Sequence, residues 1–266
     1  MNSFAGKTAL ITGGSSGIGL GFAHALGKRG ARVAIAGTHR PRLDGAVESL
    51  LAAGITALGI ELDVANAAQW SQVVPEIERH LGPIGFLALN AGVAPPPATV
   101  AETTLDVWEW SLGVNLWGVI HGLRSCLPRM QASGAPGHIL ITSSIAALNP
   151  QATMGVYVAA KAGVIGLAQV LRAELAGSRI GISVLAPAAV RTDIVARSQA
   201  HTPTANDAGY ARIAAALATG LDPLRVAEYT LEHIEAGDFY ILTHDEFRPD
   251  IERRAAEVMA AMQTRA

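Results

Sequence analysis

Two side chains one helical turn apart carry the most pointed chemistry in this chain. Tyr157 and Lys161 stand four residues apart in Tyr157-Val-Ala-Ala-Lys161, so a helix puts both on one face. A free phenol titrates at about 10 and is a poor acid–base group at neutral pH. A neighbouring ammonium favours the phenolate and makes it a usable proton donor and acceptor. Ser144 precedes Tyr157 and ends the run Ile139-Leu-Ile-Thr-Ser143-Ser144. A second constellation is Thr12-Gly13-Gly14-Ser15-Ser16-Gly17-Ile18-Gly19, between a strand-like run and a helical one. Glycines there allow a tight turn and let the backbone approach a pyrophosphate. The helix start adds N–H donors and a positive dipole end. Asn90-Ala91-Gly92 ends another apolar run, and Asn115 sits in a helical stretch where asparagine is disfavoured. Singly, each has a plainer account: a Gly/Ser turn, a surface Tyr–Lys pair, a capping serine.

The elements that must position these residues alternate. Strand-like runs are expected at Thr8–Thr12, Arg32–Ala36, Thr56–Glu61, Phe86–Leu89, His138–Thr142, Gly181–Leu185 and Phe239–Thr243. Amphipathic helical stretches lie between them at Ile18–Arg29, Arg42–Ala53, Ala67–His80, Leu105–Met130, Met154–Leu175 and Pro223–Glu235. Such alternation implies an α/β chain with a parallel sheet and right-handed crossovers. The expectation is a single doubly wound domain, a seven-stranded parallel sheet with helices on both faces. Two segments break the pattern. Residues 193–222 lack a strand and read as a long connection over a ligand crevice, a substrate lid. Residues 247–263 read as a terminal helix with Pro249 in its first turn.

Composition narrows the functions. Half of the 266 residues are apolar and 16% are charged, with 20 Lys+Arg against 22 Asp+Glu and a formal net charge of −2. That balance argues against a nucleic-acid binder and against a disordered chain. One cysteine, Cys126, excludes an intramolecular disulfide and a cysteine-based metal cluster. The eight histidines are scattered without an H-x-x-x-H pair, so no metal site is expected. The apolar runs are short and broken, so no membrane-spanning segment and no secretory signal are expected, and a soluble, cytoplasmic protein is.

The motifs occur in a characteristic order: TGGSSGIG at 12–19, Asp63 after the third strand, NAG at 90–92, Asn115, Ser144, Tyr157 with Lys161, and Pro187 to Thr192 after the sixth strand. In this the chain resembles the short-chain dehydrogenase/reductase family, the single-domain Rossmann type, over about residues 7–192. The stretch Pro128-Arg-Met-Gln-Ala-Ser-Gly-Ala-Pro-Gly-His138-Ile and the tail Phe239-Tyr-Ile-Leu-Thr-His244 further resemble one branch. That branch includes bacterial Cα-dehydrogenases acting on benzylic alcohols of lignin-derived dimers. Where many relatives end in a glycine-rich tail, this chain continues as a charged helix.

The resemblance implies Asn115, Ser144, Tyr157 and Lys161 as catalytic residues. Tyr157 would exchange the proton, Lys161 would lower its pKa and hold the ribose, Ser144 would bind the substrate oxygen, and Asn115 would hold a relay water. It also implies cofactor contacts from Gly13, Ser15, Ser16, Gly17, Ile18 and Gly19, from Asp63 and Val64 at the adenine, and from Asn90, Ala91 and Gly92 at the adenosine. Pro187, Val190 and Thr192 would hold the nicotinamide end. NAD-preferring relatives carry an acidic residue where this chain has Gly37. Gly37 cannot accept from a ribose 2′-OH, whereas Thr38, His39 and Arg40 can donate to a 2′-phosphate. NADP(H) is therefore expected, with NAD(H) as the alternative.

Ala94, Pro95, Ala146, Leu148, Met154, Ile194 and Tyr210 are expected to wall an apolar substrate pocket without a fixed charge. The implied reaction is hydride exchange between a hydrophobic secondary alcohol and its ketone. A protein that senses NADP without turnover is the alternative of another class, and the presence of all four catalytic residues argues against it. A homodimer or homotetramer is expected too. Trp108, Trp110, Leu112, Trp117, Ile120, Leu123 and Leu127 on one long helix, and Val164, Ile165, Leu167, Val170 and Leu171 on the next, cover more than one stripe.

Overall fold

Short aliphatic runs buried on both sides have one stable solution, a parallel sheet covered by helices on each face. The computed structural model describes residues 4–202 and 207–262. It contains strands β1 (Thr8–Thr12), β2 (Arg32–Gly37), β3 (Ala57–Glu61), β4 (Ile84–Leu89), β5 (Gly137–Thr142), β6 (Ile180–Ala186) and β7 (Tyr240–Leu242). All pair in parallel in the order β3-β2-β1-β4-β5-β6-β7. The order reverses between β1 and β4, and a crevice opens there outside the carboxyl ends.

Helices α1 (Gly17–Lys28), α2 (Arg40–Ala52) and α9 (Pro223–Ala236) cover one face. Helices α3 (Ala67–Leu81), α5 (Gly118–Ala132) and α6 (Gly155–Glu174) cover the other. The caps follow from sequence. Asn66 accepts from the backbone N–H groups of Ala68 and Gln69 at the start of α3, and Asp222 does the same for Leu224 and Arg225 at α9.

Three expectations change. The long helix expected over Leu105–Met130 is broken into α4 (Leu105–Leu112), a wide π turn at Gly113–Trp117, and α5. The extra residue turns Asn115 fully into the interior, where it bonds the backbone of Val93. The connection over 193–222 carries two helices, α7 (Ile194–Gln199) and α8 (Asp207–Ala218); its residues 203–206 lie outside the described residues. Finally, α6 is long and apolar enough by composition to meet the test for a membrane span, contrary to the sequence expectation. In this fold it lies on the sheet and buries Ala160, Val164 and Ala168 completely.

Helix α10 (Arg248–Ala261) follows β7 as expected; residue 263 of the expected tail lies outside the described residues. It buries none of its residues and is tied down by Arg254, which donates to the carbonyls of Ala147 and Leu148 at 3.0 and 2.9 Å. Part of the apolar surface expected at an interface is instead core: Leu123, Val164, Ile165 and Leu171 are buried against the sheet. Trp117 and Val170 remain more than half exposed.

Trp70 links this packing to the crevice. Fully buried between α3 and α5, its indole N–H donates to the Val64 carbonyl at 3.0 Å, fixing the turn that follows β3. Replacing Trp70 with Phe keeps an aromatic ring but leaves that carbonyl without its donor, a loss of about 1–3 kcal/mol. We expect Trp70→Phe to lower the urea midpoint without changing the folded circular dichroism spectrum. An equal midpoint would show that the bond does not stabilise this turn.

Candidate active site

The carboxyl ends of β1, β4 and β5 are sewn together before any ligand is considered. Thr12 Oγ1 accepts from the backbone N–H groups of Asn90 and Ala91 at 2.9 and 3.0 Å. The Asn90 amide donates to the Thr12 carbonyl at 3.1 Å and accepts from Thr142 Oγ1 at 3.2 Å. One asparagine side chain thus spans three neighbouring strands. Glycine keeps the approach to them close. A Cβ on Gly19 would stand 2.3 Å from the Gly13 carbonyl, and one on Gly17, at φ +52°, would stand 2.9 Å from Thr192 Cγ2.

Above these ends lies a cleft of about 780 Å³. Of the residues expected at a cofactor, Gly13, Ser15, Ser16, Gly17, Ile18, Gly37, Thr38, His39, Asp63, Val64, Asn90, Ala91, Gly92, Pro187, Val190 and Thr192 line it. Gly19 sits behind the loop, where it serves tight packing. Loop, helix start and strand ends together form a cradle of the right composition for a dinucleotide, with glycines at the loop and the start of a helix behind it.

Ser144, Tyr157 and Lys161 line the same cleft. Ser144 follows β5, and the other two project from the first turns of α6. The Tyr157 hydroxyl is hydrogen-bonded to Ser144, which pulls the phenol's pKa down, but burial is the larger effect and pushes it up. Lys161 stands beside this pair. Its ammonium is buried, donates to the Thr142 carbonyl at 2.9 Å, and lies 5.8 Å from the centre of the Tyr157 ring. Burial lowers Lys161 itself to about 8. Ser143 completes the anchor by donating to the Lys161 carbonyl at 2.8 Å.

Asn115 does not line the cleft. Its carbonyl oxygen accepts from Val93 N–H at 3.0 Å, and its amide donates to the Val93 carbonyl at 3.0 Å and to Ser111 Oγ at 3.1 Å. The side chain therefore clamps the chain leaving β4. Lys161 Nζ lies close by: a Cβ on Gly92 would stand 3.0 Å from Asn115 Oδ1 and 3.4 Å from Lys161 Nζ.

The substrate end differs most from expectation. Only Ile194 of the seven expected residues lines the cleft. Ala94 and Tyr210 pin the lid instead: Ala94 N–H donates to Ser198 Oγ at 2.8 Å, and the buried Tyr210 hydroxyl donates to the Ala94 carbonyl at 3.2 Å. Pro95 and Ala146 are buried outside the cleft lining, Leu148 packs on the core, and Met154 bridges to Ala98. The wall is built by Val93, Trp110, Ile194, His201 and Leu217, with the Trp110 and His201 rings 5.4 Å apart. Trp110 was legible as an excess apolar residue but pointed to an interface. His201 carried no signal.

Arg40 is the other correction. Its guanidinium pairs with Asp44 one helical turn on, at 2.9 Å and exposed, and does not line the cleft. The cleft is lined instead by Arg42 and by Arg197 of the lid. The helix begins at Arg40, with Pro41 in its first turn and His39 accepting from the Arg42 backbone N–H, and this start places Arg42 rather than Arg40 at the cleft.

Residues 7–203 match the family model described as short chain dehydrogenase. The chain is 34% identical over 260 residues to a C alpha-dehydrogenase of Sphingobium sp. (strain NBRC 103272 / SYK-6), covering 95% of this chain and 85% of that one. A crystal structure of a short chain dehydrogenase/reductase from Burkholderia phymatum in complex with NAD superposes with a TM-score of 0.92, at 32% identity, over 98% of this chain and 97% of that one. An actinorhodin polyketide ketoreductase with NADPH superposes at 0.77 with 29% identity, over 89% and 94% of the two chains. With the motifs in order on a seven-stranded parallel sheet and the family match spanning most of its length, this chain belongs to the short-chain dehydrogenase family.

Proposed function

We propose that the chain catalyses reversible oxidoreduction between a hydrophobic, aryl or bulky secondary alcohol and its ketone, with NADP(H) as the preferred cofactor. The observation that carries this reading is that Ser144, Tyr157 and buried Lys161 line the same cleft as the glycine loop.

The nicotinamide cofactor, when bound, supplies or takes up the hydride. The protein's part is the proton and the charge. In reduction, the Tyr157 hydroxyl gives its proton to the carbonyl oxygen as negative charge develops there. Ser144 Oγ donates a hydrogen bond to the same oxygen, a preorganised contact that strengthens toward the transition state. In oxidation, Tyr157 takes the alcohol proton. Lys161 places a positive charge beneath the phenol ring, and its attachment to Thr142 and Ser143 keeps that charge fixed with respect to β5. The Trp110–His201 wall suits a flat apolar group, and a relative's name, C alpha-dehydrogenase, agrees with oxidation of a secondary alcohol. An initial-rate screen of aryl ketones and secondary alcohols with all four cofactor forms tests the substrate class; activity confined to charged or aliphatic substrates would exclude it.

Gly37 supports NADP(H), since no carboxylate at the end of β2 repels a phosphate there. NAD(H) is kept as a second reading because a relative of 32% identity is described in complex with NAD. The exposed Trp117, capping the start of α5, and Val170 on α6 support association of two copies through these helices. Light scattering behind size exclusion at micromolar concentration should give two or four times 27.5 kDa; a monomer mass excludes it.

Two substitutions test the chemistry. Tyr157→Phe should abolish turnover, by at least about 100-fold, while NADPH fluorescence still reports binding. Comparable kcat in the variant would remove Tyr157 from the proton transfer. Gly37→Asp should raise NADH use and depress NADPH use. A Cβ at Gly37 meets only Ser15 Oγ, at an ordinary 3.4 Å, so the new carboxylate fits without disturbing the fold. An unchanged preference would show that this strand end does not face the ribose.

A further inference from the structure

Arg197 lies on α7 of the lid, yet its guanidinium reaches across the cleft and donates to Ser16 Oγ in the glycine loop. Ser16 is the N-cap of α1, and its hydroxyl makes no capping bond to that helix. Arg42 lines the same cleft, and its charge is among the influences that lower the Arg197 pKa. Among the described residues, the only carboxylate paired with Arg197 is Asp193, at 3.4 Å and 80% exposed, and Arg42 has no salt-bridge partner. Two guanidiniums and the positive end of α1 therefore converge on one corner of the cleft with little to neutralise them. That corner adjoins the end of β2: Ser15 Oγ stands 3.4 Å from where a Gly37 Cβ would be, and Thr38 and His39 line the same wall.

We propose that Arg197 and Arg42 form a two-arginine seat for the 2′-phosphate of the cofactor, so that the lid itself reads the phosphate. This rests on the NADP(H) reading above. The pyrophosphate, common to both cofactors, is served by neutral backbone donors of the glycine loop and the start of α1. The additional dianion needs charge, and paired guanidiniums match phosphate geometry better than any other side chains. Holding it leaves Arg197 extended toward the loop, with α7 pinned by Ser198 to Ala94.

The test is equilibrium binding of NADPH and NADH to the purified enzyme, followed by nicotinamide fluorescence, for wild type, Arg197→Gln, Arg197→Lys and Arg42→Gln. Wild type should bind NADPH more tightly. Arg197→Gln should cut the NADPH-over-NADH affinity ratio by roughly 10- to 100-fold, as expected for a charged hydrogen bond. Arg42→Gln should act in the same direction, and Arg197→Lys should recover part of the ratio. The dependence of NADPH affinity on ionic strength should flatten in both glutamine variants. A wild-type preference for NADH would overturn both this seat and the NADP(H) reading. A wild-type NADPH preference left unchanged by Arg197→Gln would overturn the seat alone. Equal loss of both cofactors would place Arg197 on the pyrophosphate and overturn it as well. Arg197→Lys, which keeps the charge and the stem, guards against reading a folding defect as lost recognition.

Discussion

A sheet covered on both faces leaves only its edges for polar work, and that constraint organises everything else in this molecule. The backbone groups at the carboxyl ends of β1, β4 and β5 have no further strand residue to pair with, so they must find side chains. Thr12, Asn90, Thr142, Ser143 and Lys161 answer that need in one connected set. The set is also the foundation of the site, since it fixes the strand ends on which the glycine loop, Ser144 and the first turns of α6 are mounted. Stability and chemistry share the same hydrogen bonds here, and a change to either is felt in both.

Burial acts in opposite directions on the two titratable groups of the site. It raises the Tyr157 phenol and lowers the Lys161 ammonium, because low polarity disfavours each charged form. Both shifts favour the neutral form of the group concerned. Ser144 is the one side chain that pulls the phenol down. The sequence reading has Lys161 lowering the tyrosine pKa; in the folded chain its ammonium is held by the Thr142 carbonyl and faces the ring.

Much of the fold was readable because parallel strands and their covering helices leave strong periodic traces, and the strand and helix bounds differ from the sequence reading by one or two residues in most elements. The glycine loop, Ser144, Tyr157 and Lys161 were readable because their chemistry demands particular residue types. What was not readable depended on tertiary direction. Whether Arg40 or Arg42 faces the cleft turns on where α2 starts, which His39 and Pro41 decide together. The apolar wall of the cleft comes from α4 and from the connection carrying α7 and α8, whose placement no local pattern specifies; Tyr210, expected in the pocket, spends its hydroxyl on Thr202 and the Ala94 carbonyl. Asn115 looked like a cleft residue until the π turn carried it inside.

That π turn separates two duties along one rod. Upstream of it, Glu109 and Trp110 look into the cleft; downstream, Val119, Leu123, Cys126 and Met130 belong to the core. An uninterrupted α-helix keeps a single phase, so any residue chosen for ligand shape would dictate which neighbours meet the sheet. The added residue at Gly113–Trp117 resets the phase between the halves. Substitutions in α4 are therefore insulated from the packing of α5, and Asn115, locked onto Val93, marks the boundary. The residues that wall the cleft and those that meet the sheet thus answer to separate helical phases along one rod.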